Sequence, residues 1–347
     1  MTRVLLTGHL GYIGSVMSGR LVEAGHDVIG LDSGLFEECV LGEPPAPIET
    51  IRKDLRDVEP SDLAGFDAVV HLAALSNDPI GNLDETWTKE INDQGSVRLA
   101  EMAREAGVAR FLFSSSCIMY GMSSTADVDE TSPLDPQTEY ARSKVTAEEG
   151  IRRLASDTFS PVFLRNGTIY GVSPRMRFDT VLNSLVGAAV TTGKVVVRGD
   201  GSPWRPVVHV DDVARAFVHV LDAPTSVIHA EAFNVGANSL NHTVRELAEF
   251  AMEAVPGSEL EVLAEASADR RTYKADFSKF ARCFPNFEWR WDARAGAQEL
   301  AAVLRGLDLT PEQFDGPRYV RLRWLNSLLA AGRLDPSLRW TDEGAPK

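Results

Sequence analysis

The sequence predicts an α/β protein with a doubly wound parallel sheet, and three observations support this prediction. Strand and helix patterns alternate through the first half of the chain. The strands are short, continuous apolar runs such as residues 4–6, as expected of strands that helices cover on both faces. Three glycines, Gly8, Gly11 and Gly14, stand between the first strand and the first helix. A sheet of this kind binds its ligands at the carboxyl ends of its strands.

The later elements of the first half follow in the same alternation. A second apolar run at 28–31 ends at Asp32, and a proline-containing loop comes after it. Gly107 supplies a stop signal for a long helix. The strands that we predict next lie at 48–52, 68–72, 111–113 and 162–164, and the helices lie at 87–106 and 137–155.

The second half of the chain is less regular. The pattern predicts a helix at 180–191, a strand at 195–198, a turn-rich loop at 199–205 and a strand at 207–210. A helix at 211–221 comes next, with Asp211 or Asp212 as its N-cap. A strand at 233–236 is expected to return to the main sheet. The tail at 310–340 is rich in Arg, Leu and Trp, and we predict that it is helical and packed.

No linker separates two domains cleanly, so we expect a smaller C-terminal domain that is interleaved with the first. The first domain is expected to span 1–171, with returning segments near 206–236. Residues 172–309 would form most of the second domain, and 310–347 a helical tail whose role the sequence does not reveal.

Composition excludes several classes of function. The net charge of −15 argues against nucleic acid or an anionic membrane as the partner. Cys39, Cys117 and Cys283 are too widely spaced to suggest a disulfide framework or a zinc site, and we expect no metal. The first strand starts at residue 3 and no stretch is long and apolar enough to span a membrane, so we expect a cytoplasmic protein.

The glycine triplet and Asp32 together predict a dinucleotide site. The glycines allow a tight turn, a close approach of the backbone to a pyrophosphate, and close packing of helix on strand. The helix that follows directs its positive end at the phosphates. An acidic residue after the second strand is the partner that this fingerprint requires for the ribose hydroxyls.

A second motif points to redox chemistry at an alcohol. Tyr140 and Lys144 are four residues apart, so they share one face of the helix at 137–155. A tyrosine with a pKa near 10 is a poor base at neutral pH, but a neighbouring ammonium and an oxidised nicotinamide both favour the phenolate. A tyrosine in this setting can act as acid and base in an alcohol–ketone interconversion. The hydroxyls of 114–116 end the preceding strand.

Together these motifs resemble the extended branch of the short-chain dehydrogenase/reductase superfamily, which contains nucleotide-sugar epimerases, dehydratases and reductases. The resemblance covers roughly residues 3 to 280 and implies a Rossmann-like sheet. Its motifs are Thr7-Gly8-x-x-Gly11-x-x-Gly14, Asp32, Asp54-Leu55, His71-Leu72-Ala73-Ala74, Asn92-x-x-Gly95, Ser116-x-x-x-Tyr120-Gly121, Tyr140-x-x-x-Lys144, Leu164-Arg165 before Tyr170-Gly171, and Arg205 before His209-Val210-Asp211-Asp212.

The resemblance implies a role for each matching residue. Ser116, Tyr140 and Lys144 would be catalytic, and Asp32 would favour NAD over NADP because its charge repels a 2′-phosphate. The implied cofactor-binding residues are Gly8, Gly11, Tyr12, Ile13, Gly14, Asp32, Asp54, Leu55, Leu72, Ala73, Ala74, Asn92, Ser114, Tyr140 and Lys144. The implied substrate-binding residues are Ser116, Thr168, Asn183, Arg205 and Arg271. Thr168 replaces an asparagine that the family often places near the sugar-nucleotide phosphates.

Departures from the family pattern favour one reaction. The related 4,6-dehydratases carry an Asp-Glu pair directly after the catalytic hydroxyl residue, where this chain has Cys117 and Ile118. We expect Cys117 to be a small buried side chain. We therefore predict an NAD-dependent nucleotide-sugar epimerase. A reductase of a 4-keto-6-deoxy sugar nucleotide stays open as an alternative, as does a non-catalytic NAD-sensing protein. By the same resemblance we expect a homodimer that pairs through the helices at 87–106 and 137–155.

Overall fold

The computed structural model describes residues 1–76, 84–122, 127–263 and 271–345. Within these residues its strands are β1 (Arg3–Thr7), β2 (Asp27–Asp32), β3 (Glu49–Arg52), β4 (Ala68–His71), β5 (Arg110–Ser116), β6 (Ser160–Asn166), β7 (Thr168–Tyr170), β8 (Lys194–Arg198), β9 (Trp204–His209), β10 (Ala232–Val235), β11 (Asn241–Thr243) and β12 (Glu259–Leu263). Seven of them form one parallel sheet in the order β10-β6-β5-β4-β1-β2-β3.

Helices cover both faces of this sheet, so the predicted Rossmann-like α/β fold is confirmed. The α-helices of the described residues are α1 (Gly14–Glu23), α2 (Glu85–Thr88), α3 (Gly95–Glu105), α4 (Glu139–Arg152), α5 (Val181–Thr192), α6 (Val210–Asp222), α7 (Thr225–Ile228), α8 (Val244–Ala254), α9 (Ser278–Cys283), α10 (Ala293–Gly306), α11 (Pro311–Asp315) and α12 (Arg321–Ala330). No described helix has both the length and the apolar character that crossing a bilayer requires.

The strand order reverses between β1 and β4, and this reversal opens a crevice at the carboxyl ends of the strands. The central strands are buried because they carry apolar residues on both faces, and Val4, Leu5 and Leu6 have no exposed surface, whereas the edge strand β3 is largely exposed. The helix predicted at 87–106 is one continuous helical segment, but its middle, Lys89–Gln94, is π-helical. Such wide turns often occur beside functional sites.

Two later elements differ from the sequence prediction. The strand predicted at 207–210 is β9, which pairs with β7 and β11 in a separate three-stranded sheet, whereas β10 does return to the main sheet. The predicted aspartate cap of α6 is wrong. His209 is the N-cap, and its Nδ1 accepts the backbone N–H of Asp211 at 3.2 Å. Asp212 instead accepts from the backbone N–H groups of Arg290 and Trp291, which ties α6 to the segment before α10.

The tail is helical and packed, as predicted. After α11 and α12 the chain forms a bridge between Leu334 and Trp340. Trp324, Leu325 and Leu328 of α12 belong to the core on one face of the main sheet. The tail therefore covers part of this face of the sheet and extends its core.

Candidate active site

A cavity of about 870 Å³ lies at the carboxyl ends of the sheet strands. Its wall contains most of the residues that the sequence predicts for the site: Gly8, Gly11, Tyr12, Ile13, Gly14, Asp32, Asp54, Leu55, Leu72, Ala73, Ala74, Ser114, Ser116, Tyr140, Thr168, Arg205 and Arg271. Asn92, Lys144 and Asn183 do not line it. The fold thus brings most of the predicted cofactor-binding and catalytic residues to one cavity.

The glycine turn leaves no room for a side chain at Gly8 or Gly14. A Cβ on Gly8, where φ is +76°, would lie 2.7 Å from the backbone nitrogen of Ala73. A Cβ on Gly14 would lie 2.1 Å from the carbonyl oxygen of Gly8. A Cβ on Gly11 would meet a single backbone atom, the Gly8 oxygen at 3.1 Å, within 4 Å. Helix α1 begins here without a side-chain cap. The turn therefore fits the diphosphate of a dinucleotide, which helix N-termini bind.

Asp32 ends β2 on the same side of the cavity. Its carboxylate oxygens accept the backbone N–H groups of Leu10 at 3.0 Å and Gly34 at 2.8 Å. Burial raises the pKa of Asp32, and these two donors oppose the rise. The hydrogen bonds fix the carboxylate at the cavity wall, where it can accept hydroxyl groups of a ribose.

Ser116 and Tyr140 line the other end of the cavity. Ser116 is the last residue of β5, and its Oγ accepts the backbone N–H of Ile118 at 3.3 Å. Tyr140 lies in the first turn of α4, which Thr138 caps by accepting from the N–H of Ala141. Asn166, which the sequence reading missed, stands beside them and donates to the Ser114 Oγ at 3.1 Å.

Lys144 lies directly behind this wall. It is 3% exposed, its Nζ donates to the carbonyl oxygen of Ser114 at 2.8 Å, and the same atom is 5.8 Å from the centre of the Tyr140 ring. Burial lowers the pKa of Lys144 to about 8, although the nearby Glu148 raises it. A buried ammonium this close to the phenol favours the phenolate form of Tyr140.

We expect Lys144→Met to raise the free energy of unfolding of the cofactor-free protein at pH 7. The native pKa of about 8 lies below the ordinary value of 10.5, so the unfolded chain binds this proton more tightly. Below pH 8 the native state therefore carries the full penalty of about 3 kcal/mol. Above pH 8 the penalty shrinks, so the difference between variant and wild type should narrow towards pH 10. Urea denaturation measures the free energy of unfolding of both proteins, and a variant that is less stable than wild type at every pH would contradict the expectation.

The structure places Asn92 behind the cavity rather than in its wall, and its assignment as a cofactor-binding residue stays a prediction. Asn92 is fully buried in the π-helical segment. Its side chain accepts from the backbone N–H of Leu75 at 2.8 Å and donates to the Leu75 oxygen at 3.0 Å. Because Leu75 lines the cavity, Asn92 supports the wall through it.

Asn183, which the sequence predicts to bind substrate, does not line the cavity either. It is fully buried, it accepts the backbone N–H of Gly171 at 2.9 Å, and it donates to the hydroxyl of Tyr12 at 3.1 Å. Tyr12 in turn donates to the Gly171 oxygen. Asn183 therefore anchors a residue of the glycine turn and has no surface in the cavity.

Thr168, Arg205 and Arg271 form a third part of the cavity wall. The Arg205 guanidinium donates to the carbonyl oxygens of Trp204 and Arg271, which holds the two arginines together. Guanidinium groups suit a phosphate ligand because their donors match phosphate oxygens. This part of the wall can bind the diphosphate of a second ligand.

The sequence did not predict several charged groups of the wall, among them Arg177 and Arg321. Arg177 pairs with both carboxylate oxygens of Asp179, at 2.6 and 3.0 Å, and donates to the Oγ of Ser76 at 2.9 Å. Arg321 reaches the cavity from the tail. The spacing of these residues carries no periodic signal, so only the fold reveals them.

The described wall holds no free acid beside Ser116 and Tyr140. Ile118 lines the cavity, whereas Cys117 is fully buried, donates to the Arg165 oxygen, and has its pKa raised by burial. This confirms the expectation of a small buried side chain. The carboxylates on the described wall are three, and each already has a partner: Asp32 the backbone donors above, Asp54 the side chain of Arg56, and Asp179 the side chain of Arg177.

Comparisons with known proteins agree with this arrangement. The family model described as the NAD dependent epimerase/dehydratase family matches residues 4–236. The UDP-glucose 4-epimerase of Mycolicibacterium smegmatis is 33% identical over 259 residues, which are 71% of this chain and 80% of that protein.

Solved structures give the same grouping. The UDP-glucose 4-epimerase of Thermus thermophilus, in complex with NAD, superposes with a TM-score of 0.73 and 26% identity over 88% of this chain and 99% of that one. DesIV, a dTDP-glucose 4,6-dehydratase from Streptomyces venezuelae with NAD bound, superposes with a TM-score of 0.74 and 25% identity over 88% and 97%. The similar proteins thus include an epimerase and a dehydratase, and their similarity does not choose between the two reactions.

Proposed function

Because the chain belongs to the NAD-dependent epimerase/dehydratase family, we propose that it epimerises a nucleotide-linked sugar through a transient keto intermediate. NAD is the cofactor, in line with the family and with the glycine turn and Asp32. One observation carries the choice of reaction: Ser116 and Tyr140 line the cavity beside Ile118, with no free carboxylate among the described residues of the wall.

In this proposal the hydroxyl of Tyr140 removes the proton of the sugar hydroxyl and later returns it. Lys144 lowers the energy of the phenolate from behind the wall, and the family resemblance implies that it would also hold the nicotinamide ribose. Ser116 hydrogen-bonds the reacting oxygen. NAD, which the glycine turn and Asp32 would hold, would supply a reversible acceptor for the hydride on the sugar carbon. The cavity holds the keto sugar away from water while its other face turns towards the cofactor.

Water elimination is disfavoured by the same wall. It needs a base for the proton beside the ketone and an acid for the departing hydroxyl. Ile118 cannot ionise, and Cys117 faces away from the cavity towards Arg165. A dehydratase would therefore have to find both groups elsewhere.

The reductase alternative uses the same Ser116, Tyr140 and Lys144. It needs a cofactor that enters reduced and leaves oxidised, which suits a loosely held NADPH. Asp32 disfavours the 2′-phosphate of NADPH. The third alternative is a non-catalytic NAD sensor, which would have no use for the complete set of Ser116, Tyr140 and Lys144.

The test is incubation with a panel of uridine- and thymidine-diphosphate sugars, read by mass spectrometry, proton NMR and the absorbance of reduced cofactor. We expect one sugar nucleotide to become an isomer of the same mass with no net consumption of NADH. A product lighter by one water would indicate a dehydratase, and stoichiometric oxidation of NAD(P)H a reductase. Bound NAD with no turnover of any sugar would indicate the sensor.

We further propose a cytoplasmic homodimer that pairs through the outer faces of α3 and α4. The free thiols of Cys39, Cys117 and Cys283 suit a reducing compartment. In the structure, however, an apolar residue of the predicted pairing helix is used within the chain itself. Trp87 packs in the chain's own core and donates from its indole nitrogen to the tail residue Pro336.

The exposed residues of α3 and α4 are mainly charged, among them Glu101, Arg104 and Glu149. Contacts between charged faces weaken as salt screens them. We therefore expect light scattering at micromolar concentration to give twice the 37.9 kDa chain mass at low salt, and a lower mass at high salt. A single-chain mass at low salt would contradict the dimer.

A further inference from the structure

The loop that follows Asp32 is held by the tail through three backbone carbonyls. The indole nitrogen of Trp340 donates to the Ser33 oxygen at 2.7 Å, and that of Trp324 donates to the Leu35 oxygen at 2.7 Å. The hydroxyl of Tyr319 donates to the Val40 oxygen at 3.0 Å. Ser33 and Leu35 line the cavity, so the tail fixes part of the cavity wall beside Asp32.

The first residue of α12, Arg321, reaches the cavity itself. It is 2% exposed, and its guanidinium carbon is 4.8 Å from the centre of the Phe36 ring. Its Nη2 donates to the Arg175 oxygen at 2.7 Å, but its Nη1 has no hydrogen-bond partner. A buried guanidinium with an unsatisfied donor at a cavity wall is expensive unless a ligand completes it.

The neighbouring Arg175 also has unsatisfied donors. It is 4% exposed, and its Nε and Nη1 lack partners. Asp179 pairs with Arg177 and accepts the backbone N–H of Arg321 at 3.2 Å. The carboxylates of Glu37 and Asp32 also act on Arg175. Burial lowers the pKa of Arg321 to about 10, and the nearby Arg177 and Arg175 add to this effect. A cluster of this kind favours the binding of an anion in the cavity.

We propose that the tail is part of the dinucleotide site: Arg321 donates to the diphosphate of NAD, and the tail holds the Ser33–Val40 loop so that NAD is retained between turnovers. The anion is the cofactor's because Arg321 packs on Phe36, in the loop after Asp32. Arg205 and Arg271 supply the guanidinium groups of the other wall. The inference deepens the proposed function, since an epimerase that restores its cofactor has no need to release it.

The test measures NAD in the full-length purified protein after acid release, with Arg321→Met, Arg321→Lys and the exposed Arg323→Met on the same helix as control. Charged hydrogen bonds of this kind change affinity by about 10- to 100-fold. We expect wild type and Arg323→Met to carry NAD, Arg321→Met to lose most of it, and Arg321→Lys to keep an intermediate amount. Equal NAD content in Arg321→Met and wild type overturns the proposal. If Arg321→Met is not recovered folded, wild-type content in Arg321→Lys overturns it.

A second readout separates phosphate contact from a merely structural role. Shifts in the melting temperature are recorded with added ADP, adenosine and UDP. The proposal predicts that Arg321→Met weakens the response to ADP and leaves the response to adenosine unchanged. An equal loss for adenosine, or a loss confined to UDP, overturns it. None of these readouts depends on sugar turnover, so a protein that loses NAD on Arg321→Met but makes no isomer would support this inference and refute the proposed function.

Discussion

Tyr140→Phe is expected to lower kcat for sugar isomerisation by roughly 10²- to 10⁴-fold, the usual contribution of a general acid–base group. The substitution removes one oxygen and keeps the ring. Lys144 keeps its hydrogen bond to the Ser114 oxygen, so the wall behind the ring should not change. The NAD content of the purified variant should equal that of wild type, because the glycine turn and Asp32 are untouched.

Tyr170→Phe is the matched control. Tyr170 is fully buried outside the cavity, and its hydroxyl has no hydrogen-bond partner, so the same loss of an oxygen should leave kcat unchanged. Turnover is measured by NMR at saturating substrate. A Tyr140→Phe enzyme with wild-type kcat would remove Tyr140 from the mechanism.

Gly11→Val is expected to remove NAD from the purified protein while leaving it folded. A Cβ on Gly11 has one close backbone neighbour, the Gly8 oxygen at 3.1 Å, and the position lines the cavity. The valine methyl groups would then occupy the space that the diphosphate needs against the backbone. We expect the affinity for NAD to fall by at least about tenfold, which corresponds to about 1.4 kcal/mol of binding energy, and the bound NAD per chain to fall with it.

Substitutions at two other glycines are compared with Gly11→Val. Gly19→Val, in the helix α1 that follows the turn, is the control, because a Cβ there has no neighbour within 4 Å, and it should keep its NAD. Gly14→Ala should instead impair folding, because its Cβ would lie 2.1 Å from a backbone oxygen. NAD is measured after acid release, and circular dichroism reports folding. Wild-type NAD content in Gly11→Val would refute the diphosphate assignment of the turn.

The sequence predicts those parts of the site that local geometry defines. The glycine turn depends on residues within one strand–turn–helix unit, and Tyr140 and Lys144 share a face because of helical spacing alone. The main sheet follows from the buried apolar strands. The main sheet is confirmed in the structure, which also places the glycine turn and Tyr140 in the wall of one cavity.

The sequence cannot tell a residue in the cavity wall from one directly behind it. Asn92 and Asn183 are polar residues in family motifs or in a helix, yet both hydrogen bond to the backs of wall residues. Their orientation depends on a π-helical segment and on packing between distant elements. Arg321 escaped prediction for the same reason: it lies 289 residues from Asp32 in the chain and reaches the cavity only through the packing of α12.

The central claim is that the sugar leaves the site with its own carbon-bound hydrogen restored. Its most direct test is to run the reaction of an accepted sugar nucleotide in D₂O and to return the product to H₂O before mass spectrometry. Only the proton that Tyr140 handles exchanges with solvent in the proposed mechanism. The account predicts an isomer with unchanged mass, no deuterium on carbon and no net change in NAD. A product that carries deuterium on carbon, or that has lost water, would contradict it.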